Sequence, residues 1–341
     1  MKNNTPKVSI VTTTLNLFKD NRQEFFRKCI ESVHNQTYPN IEHIIIDGAS
    51  TDDTLELIKE YQKKGWITYY SERDKGIDDA YNKGLKKATG KYIAYMNSDD
   101  CYYADNVIET SIKMMEEEQA DYCYGSEEKV FRDGSLFMIW NPKVENFWKD
   151  MPFSHQTMIV KKSVMDELGG YNTDLGFGGD VYLVHQLILN DYKGIEIPRI
   201  ISKYVMGGIS SQTEDKKKVY QVYYVLAKRF QSLYSQFYPD ITIEECENIY
   251  HFGKNINVYP SMFLQKLIHF MVRKNLKNFN YNKFIDFVNS IATGNSNTIL
   301  SDKQIKKLYL FNFIPLMKII KKAKSVKYKL FNCIPVLKIK G

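Results

Sequence analysis

Between Lys7 and Met96 the hydrophobic period of the chain keeps switching, and that alternation limits the fold more than any other feature. Lys7–Leu15 (KVSIVTTTL) is a β-branched run that reads as a strand. Glu24–Val33 then sets Phe25, Phe26, Cys29, Ile30 and Val33 at helical spacing. Ile41–Asp47 is a second strand, and Ser50-Thr51-Asp52-Asp53 opens a helix with Leu55, Ile58 and Tyr61 on one face. Trp66–Ser71, Asp78–Ala88 and Tyr92–Met96 continue the series as strand, helix and strand. Strands that each wait for a helix before the next strand pair in parallel, with the helices covering the faces. The expectation is an α/β protein with a Rossmann-like, mostly parallel central sheet flanked by helices.

After Met96 the pattern loosens. Asp121–Tyr124 reads as a strand, and Glu128–Phe131 and Ser135–Trp140 form a hairpin around Asp133-Gly134. Val181–Asn190 is helical and Ile195–Tyr204 extended. From about residue 215 to 293 the chain reads as helical and rich in Tyr, Phe and Lys. The organisation expected is one α/β domain over 1–214, in halves of about 1–100 and 101–214. A helical extension over 215–300 and a basic amphipathic tail over 301–341 follow it.

The tail stands out in charge. Residues 301–341 hold 11 lysines and one acid, Asp302, which leaves −3 for the first 300 residues out of an overall +7. Such a tail suits an anionic partner, a nucleic acid or a membrane surface. It also repeats: Leu310–Ile319 matches Leu330–Ile339 at seven of ten positions, twenty residues apart. Bulky apolar residues flanked by lysines favour an anionic lipid interface over nucleic acid, the alternative being that the two segments pack on the body. The five cysteines (Cys29, Cys101, Cys123, Cys246, Cys333) contain no C-x-x-C pair, so neither a disulfide framework nor a zinc ribbon is expected. No apolar signal segment precedes the first strand, and a cytoplasmic, reducing setting is expected.

In an open parallel sheet, ligands bind beyond the carboxyl ends of the strands. Thr12-Thr13-Thr14, Asp47 and Asp99-Asp100 all sit at such ends. Two adjacent acids are costly if dry and unpaired, and a hard divalent cation carrying a diphosphate removes that cost. The plainer alternative is that they favour the N-terminus of a following helix.

The ordered set SIVTTTLN, NQTYPNIEHIIIDGASTDDT, SERDKGIDDAYNKGLKKATGKYIAYMNSDD, SHQTMIVK and GGYN…GGDVYL resembles the family 2 glycosyltransferases, which have the GT-A fold. Within them it is most similar to the bacterial enzymes that build O-antigen, capsule and related surface polysaccharides, over about residues 6–211. The resemblance implies a nucleotide-diphospho-sugar donor, such as a UDP-sugar, a Mn²⁺ or Mg²⁺ ion, and inversion at the anomeric carbon. It implies that Thr13 lines the nucleotide pocket and Asp47 accepts the uracil N3–H. Asp99 would lie near ribose and phosphates, Asp100 would coordinate the metal, and Asp180 would be the catalytic base. Lys75 and Asn82 could reach the donor or serve as turn and cap residues, and His155 could sit in the acceptor cleft or be structural. Asp180 could equally cap the helix that begins at Val181.

Three positions depart from the family pattern: Asn97 stands where an acid often completes Asp-x-Asp, Leu15 where an aromatic is common, and Gly179 where an acid often precedes the base. The activity expected is transfer of one sugar to a polyprenyl-diphosphate-linked or other glycan acceptor at the inner face of the cell membrane. A nucleotidyltransferase, or a membrane-bound scaffold of the same fold without turnover, are the alternatives.

Overall fold

The first strand, β1 (Val8–Thr14), sits inside the sheet and is paired on both sides. It runs parallel to β2 (Ile41–Asp47), in register from Val8↔Ile41 to Thr14↔Asp47, and parallel to β4 (Tyr92–Tyr95) from Val8↔Tyr92. β3 (Thr68–Ser71) extends β2 in parallel. The carboxyl ends of these four strands therefore lie along one edge, as the alternation demands. This is a computed structural model, and it describes residues 5–175, 178–207, 230–246 and 261–292. The expected tail over 301–341 with its repeat, and residues 215–229, lie outside the described residues.

The helices α1 (Gln23–His34), α2 (Thr54–Lys63) and α3 (Ile77–Lys87) fill the three crossovers. Alternation along β1 sends Val8 and Ile10 into the cluster that includes Cys29 and Val33 of α1. Val11 points the other way, onto α3, where a Cβ on Gly84 would stand 2.3 Å from Val11 Cγ1. Only a glycine lets the helix lie so close to the strand. Phe26, Ile30, Ile45, Leu57, Ile58 and Tyr61 complete the packing of α1 and α2 on the sheet.

The second half is mixed, not parallel. β5 (Cys101–Tyr102), α4 (Val107–Glu117), β6 (Tyr122–Val130), β7 (Leu136–Trp140), β8 (Ile159–Lys161), α5 (Lys162–Leu168), α6 (Gly179–Leu189) and β9 (Gly194–Val205) give the sheet order β3-β2-β1-β4-β8-β6-β9-β5, with β7 on β6. β8 joins β4 antiparallel through Ala94↔Ile159, and β6 joins β8 antiparallel. Of the eight ladders among the described residues, four are parallel and four antiparallel.

One correction concerns β6, expected as two strands broken near Gly125-Ser126. It is continuous: a Cβ on Gly125 would fall 2.6 Å from Ile201 Cγ1, so the glycine serves close approach of β9, with an irregularity in register, and no turn. The hairpin to β7 forms as expected, and Leu136, Phe137, Met138 and Ile139 are all exposed on it.

The described residues divide into two compact units, one within 1–144 and 151–225, the other within 145–150 and 226–341. In the second, α7 (Ser261–Lys274) and α8 (Tyr281–Ala292) accompany buried Phe147 and Trp148. The carbonyl of Trp148 accepts the Tyr234 hydroxyl at 2.8 Å, and Glu145 pairs with Lys283 at 3.4 Å. Among the described residues, no helix is long and apolar enough to cross a membrane.

Candidate active site

At the carboxyl edge of β1–β4 the first unit opens a cleft of about 530 Å³. Thr13, Leu15, Asp74, Asp99, His155 and Asp180 all line it, together with Arg22, Arg132 and Tyr81. The structure thus brings Thr13, Asp99, His155 and Asp180 into one wall, from segments up to 167 residues apart in sequence. Asp47, Lys75, Asn82 and Asp100 are not in that wall.

Asp47 is fully buried behind it. Its Oδ1 accepts the hydroxyls of Thr14 (3.2 Å) and Ser50 (2.5 Å). Its Oδ2 accepts Ser50 N–H (3.0 Å) and the Ser71 hydroxyl (2.7 Å). Those four bonds use the acceptor capacity of a carboxylate and tie together the ends of β1, β2 and β3. With those four bonds in place, no acceptor position of Asp47 is left open.

Asn82 is likewise spent, its amide exchanging two 2.8 Å bonds with the backbone of Tyr171. Lys75 lies on the exposed turn beyond, its backbone N–H on Asp79.

The acid pair divides in role. Asp100 is 1% exposed: its Oδ1 accepts Val205 N–H (2.8 Å), and its Oδ2 accepts Gln156 Nε2 (2.9 Å) and Asn97 Nδ2 (3.0 Å). Burial, then the neighbouring Asp99 and Glu127, push its carboxyl well above the usual carboxylate range. Asp99 instead faces the cleft. Burial raises it too, while the guanidinium groups of Arg22 and Arg132 oppose that rise. Both Asp100 oxygens are thus engaged inside the protein, whereas the Asp99 carboxylate is turned to the cleft.

Among the described residues, no three His, Cys, Asp or Glu side chains gather to hold an ion. One cleft-facing carboxylate still fits a Mg²⁺ or Mn²⁺ ion whose remaining ligands are phosphate oxygens and water. Asn97 cannot join it cheaply, because its Oδ1 accepts the Tyr81 hydroxyl while its Nδ2 serves Asp100.

Asp180 stands in the first turn of α6, 28% exposed, its Oδ1 accepting Val181 N–H at 2.8 Å. Its Oδ2 lies 3.5 Å from His155 Nδ1, and His155 Nε2 lies 3.3 Å from the Tyr81 hydroxyl. With Tyr81 donating to Asn97 and Asn97 to Asp100, a polar chain joins the two acids through His155. With the Tyr81 proton directed at Asn97, His155 Nε2–H can donate to the Tyr81 oxygen, and Nδ1 faces Asp180. The absent acid at 179 has a physical reason as well. A Cβ there would meet the carboxylate of Asp78 at 2.8 Å, and Asp78 accepts Gly179 N–H at 3.0 Å.

Arg22 and Arg132 were not singled out from the sequence. Arg22 bridges the loops after β1 and β4, donating to Leu15 O (2.8 Å) and Ser98 Oγ (3.4 Å). Its buried Nε has no hydrogen-bond partner among the described residues. Arg132, at the β6–β7 turn, lies over Phe25 at 5.9 Å, and a Cβ on Gly207 would crowd its Nε at 3.1 Å. No periodicity marks either arginine. The only signal was position, beside a helix start and a hairpin turn.

Comparison with known proteins agrees with this geometry. Residues 9–171 match the family described as Glycosyl transferase family 2. An uncharacterised glycosyltransferase of Rickettsia bellii is 38% identical over 128 residues, 38% of this chain and 18% of that protein. The chain therefore spans about a fifth of the length of such relatives. In fold it is similar to Staphylococcus aureus TarS 1–349 in complex with UDP-GlcNAc, with a TM-score of 0.52 at 13% identity over 96% of this chain and 95% of that one. The mannosyltransferase PcManGT from Pyrobaculum calidifontis, in complex with GDP-Man and Mn²⁺, gives a TM-score of 0.51 at 17% identity over 85% and 80%. The fold is GT-A-like, a curled mixed sheet flanked by helices.

Proposed function

We propose that this chain, whose residues 9–171 match Glycosyl transferase family 2, moves one sugar with inversion from a nucleotide-diphospho-sugar to a glycan acceptor. The observation that carries the reading is that Asp180 and Asp99 line one cleft at the carboxyl ends of parallel strands. The family 2 match and the nucleotide-sugar complexes of the two structural neighbours support the donor class.

In the reaction, the acceptor oxygen attacks the anomeric carbon, the bond from that carbon to the diphosphate oxygen breaks, and the acceptor proton passes to Asp180 Oδ2. A correctly placed general base contributes roughly 10²–10⁴ in rate. His155 Nδ1, 3.5 Å from that oxygen, is placed to take the proton onward. Arg22 and Arg132 flank Asp99 and offset the charge that develops on the leaving nucleoside diphosphate. A divalent ion, when bound with the donor, would be held by Asp99 and would supply Lewis-acid charge to the same oxygens.

The acceptor we infer is lipid-linked, a polyprenyl-diphosphate glycan of bacterial surface polysaccharide assembly. The lysine-dense tail over 301–341 supports a site on the inner face of the cell membrane, where confinement raises acceptor concentration.

The test is a panel of nucleotide sugars with Mn²⁺ or Mg²⁺, following nucleoside diphosphate release. Asp180→Asn should retain donor binding and lose turnover by at least about 10²-fold. Asp99→Asn should weaken donor binding itself. Full turnover in the Asp180 variant would remove it as the base.

A further inference from the structure

The hairpin of β6 and β7 carries apolar side chains that the fold leaves uncovered. Leu136, Phe137, Met138 and Ile139 are consecutive in β7, and each is between 42% and 57% exposed. Neighbours along a strand point to opposite faces, so both faces of β7 stand open. Among the described residues β7 pairs with β6 alone, which leaves its outer edge without a further strand. Phe131, just past the end of β6, is exposed as well, and its ring meets that of Phe137 edge-on at 5.3 Å. The hairpin is a blade with an apolar rim.

Aromatic rings and cations stand behind that rim. Lys129 Nζ lies 4.0 Å from the centre of the Trp140 ring and 5.4 Å from that of Tyr204. Lys203 Nζ lies 5.6 Å from the centre of the exposed Tyr103 ring, and Arg132 stands at the turn. The acids of the blade are answered within it. Glu128 pairs with Lys203 at 3.0 Å, buried Glu127 accepts the Ser202 hydroxyl at 3.1 Å, and Asp133 accepts Ser135 N–H at 2.9 Å. Apolar residues outermost, then Trp, Tyr and Lys, is the order in which side chains sort across a lipid–water boundary.

Two further observations favour a lipid surface over a second copy of the chain. Five half-open side chains of about 200 Å² each offer roughly 400–500 Å², about half of the 800 Å² per partner that a stable interface buries. A protein seated on one face would leave the other in water, whereas acyl chains close on both. The unpaired backbone groups of an edge strand and the charged turn limit the depth to the headgroup boundary, where water and headgroups can answer them.

We propose that the β6–β7 hairpin is a membrane-docking element that lays Phe131 and Leu136–Ile139 into the acyl boundary of a bilayer. Arg132 and Tyr204 line the cleft, so docking brings that side of the cleft to headgroup level. The contact is separate from the lysine-rich tail. Only its consequence, presentation of a lipid-linked acceptor to Asp180, rests on the glycosyltransferase reading above.

The test uses the full chain carrying Phe137→Trp, with vesicles of brominated phosphatidylcholine and phosphatidylglycerol. The added indole should shift to shorter wavelength and lose most of its emission, measured as the difference from the wild-type chain. Phe137→Ser combined with Met138→Ser should weaken vesicle binding about 10-fold or more. Its thermal melt should be unchanged, because both side chains are exposed. Hydrolysis of a sugar nucleotide, with water as the acceptor, should also match wild type in that variant. An indole at 137 that keeps its full emission with vesicles present, whether or not the chain sediments with them, would overturn the docking. So would a wild-type dimer that the double serine variant turns into a monomer at unchanged vesicle affinity, which would assign the blade to a second copy. A chain quenched at 137 that releases no diphosphate from any sugar nucleotide would keep the docking and overturn the glycosyltransferase reading.

Discussion

Asp47 offers the sharpest test of how the strand ends are held. Its carboxylate is wholly buried and accepts four bonds, three from hydroxyls and one from Ser50 N–H. In Asp47→Asn the amide oxygen can keep Ser50 N–H and Ser71, while the amide NH₂ donates to Thr14 and Ser50 hydroxyls that rotate to accept. The loss is the charge assistance, about 1–2 kcal/mol. In Asp47→Ala nothing answers Ser50 N–H, and the three hydroxyls can only pair among themselves, so the cost rises to about 3–5 kcal/mol. At about 2–4 °C per kcal/mol for a domain of this size, the alanine variant should melt about 10 °C lower and the asparagine variant a few degrees lower.

The assay is paired: thermal denaturation of both variants, and UDP and GDP affinity of Asp47→Asn at a temperature well below its melt. If these four bonds serve only to brace the strand ends, that affinity stays within about threefold of wild type. An Asp47→Asn protein that melts like wild type but loses nucleotide affinity tenfold or more would refute the bracing and restore Asp47 as the base contact.

Other consequences follow from buried groups and close contacts. Burial lowers the His43 pKa from 6.5 to about 3, with Thr12 Oγ1 3.0 Å from its Nε2. The folded state keeps this ring neutral, the unfolded chain binds a proton below 6.5, and stability therefore falls as pH drops from about 6.5 to about 3, by up to about 5 kcal/mol. Denaturant melts of His43→Gln across that range should show a flatter acid limb than wild type. Gly84→Ala puts a Cβ 2.3 Å from Val11 Cγ1 and must lift α3 off β1. A loss of about 1–3 kcal/mol in urea denaturation is expected, and an unchanged midpoint would mean the helix does not lie that close. Deleting everything after Leu300 should preserve transfer to a soluble acceptor and reduce co-sedimentation with anionic vesicles. Equal vesicle binding by the truncated chain would count against the tail as the membrane contact.

What the sequence determined on its own was whatever local periodicity can carry. β1, β2, α1 and α3 lie within a residue or two of their expected bounds, because each element's inward residues repeat at 2 or 3.6 and need no distant partner to be recognised. The same alternation put Thr13, Asp47 and Asp99 at strand ends on one edge. Period could not say that Gly125 lies within a strand, because the reason is the approach of Ile201 from β9.

Which acids face the cleft was decided by tertiary structure. Asp99 and Asp100 are equal on paper, and Asp100 turns inward only because Gln156 and Val205, 56 and 105 residues away, supply donors there. Asp47 is held by Thr14 and Ser71 across neighbouring strands. A carboxylate's role depends on whether its oxygens are already answered. Hydrogen bonds that answer them across long stretches of chain leave no mark in any local pattern.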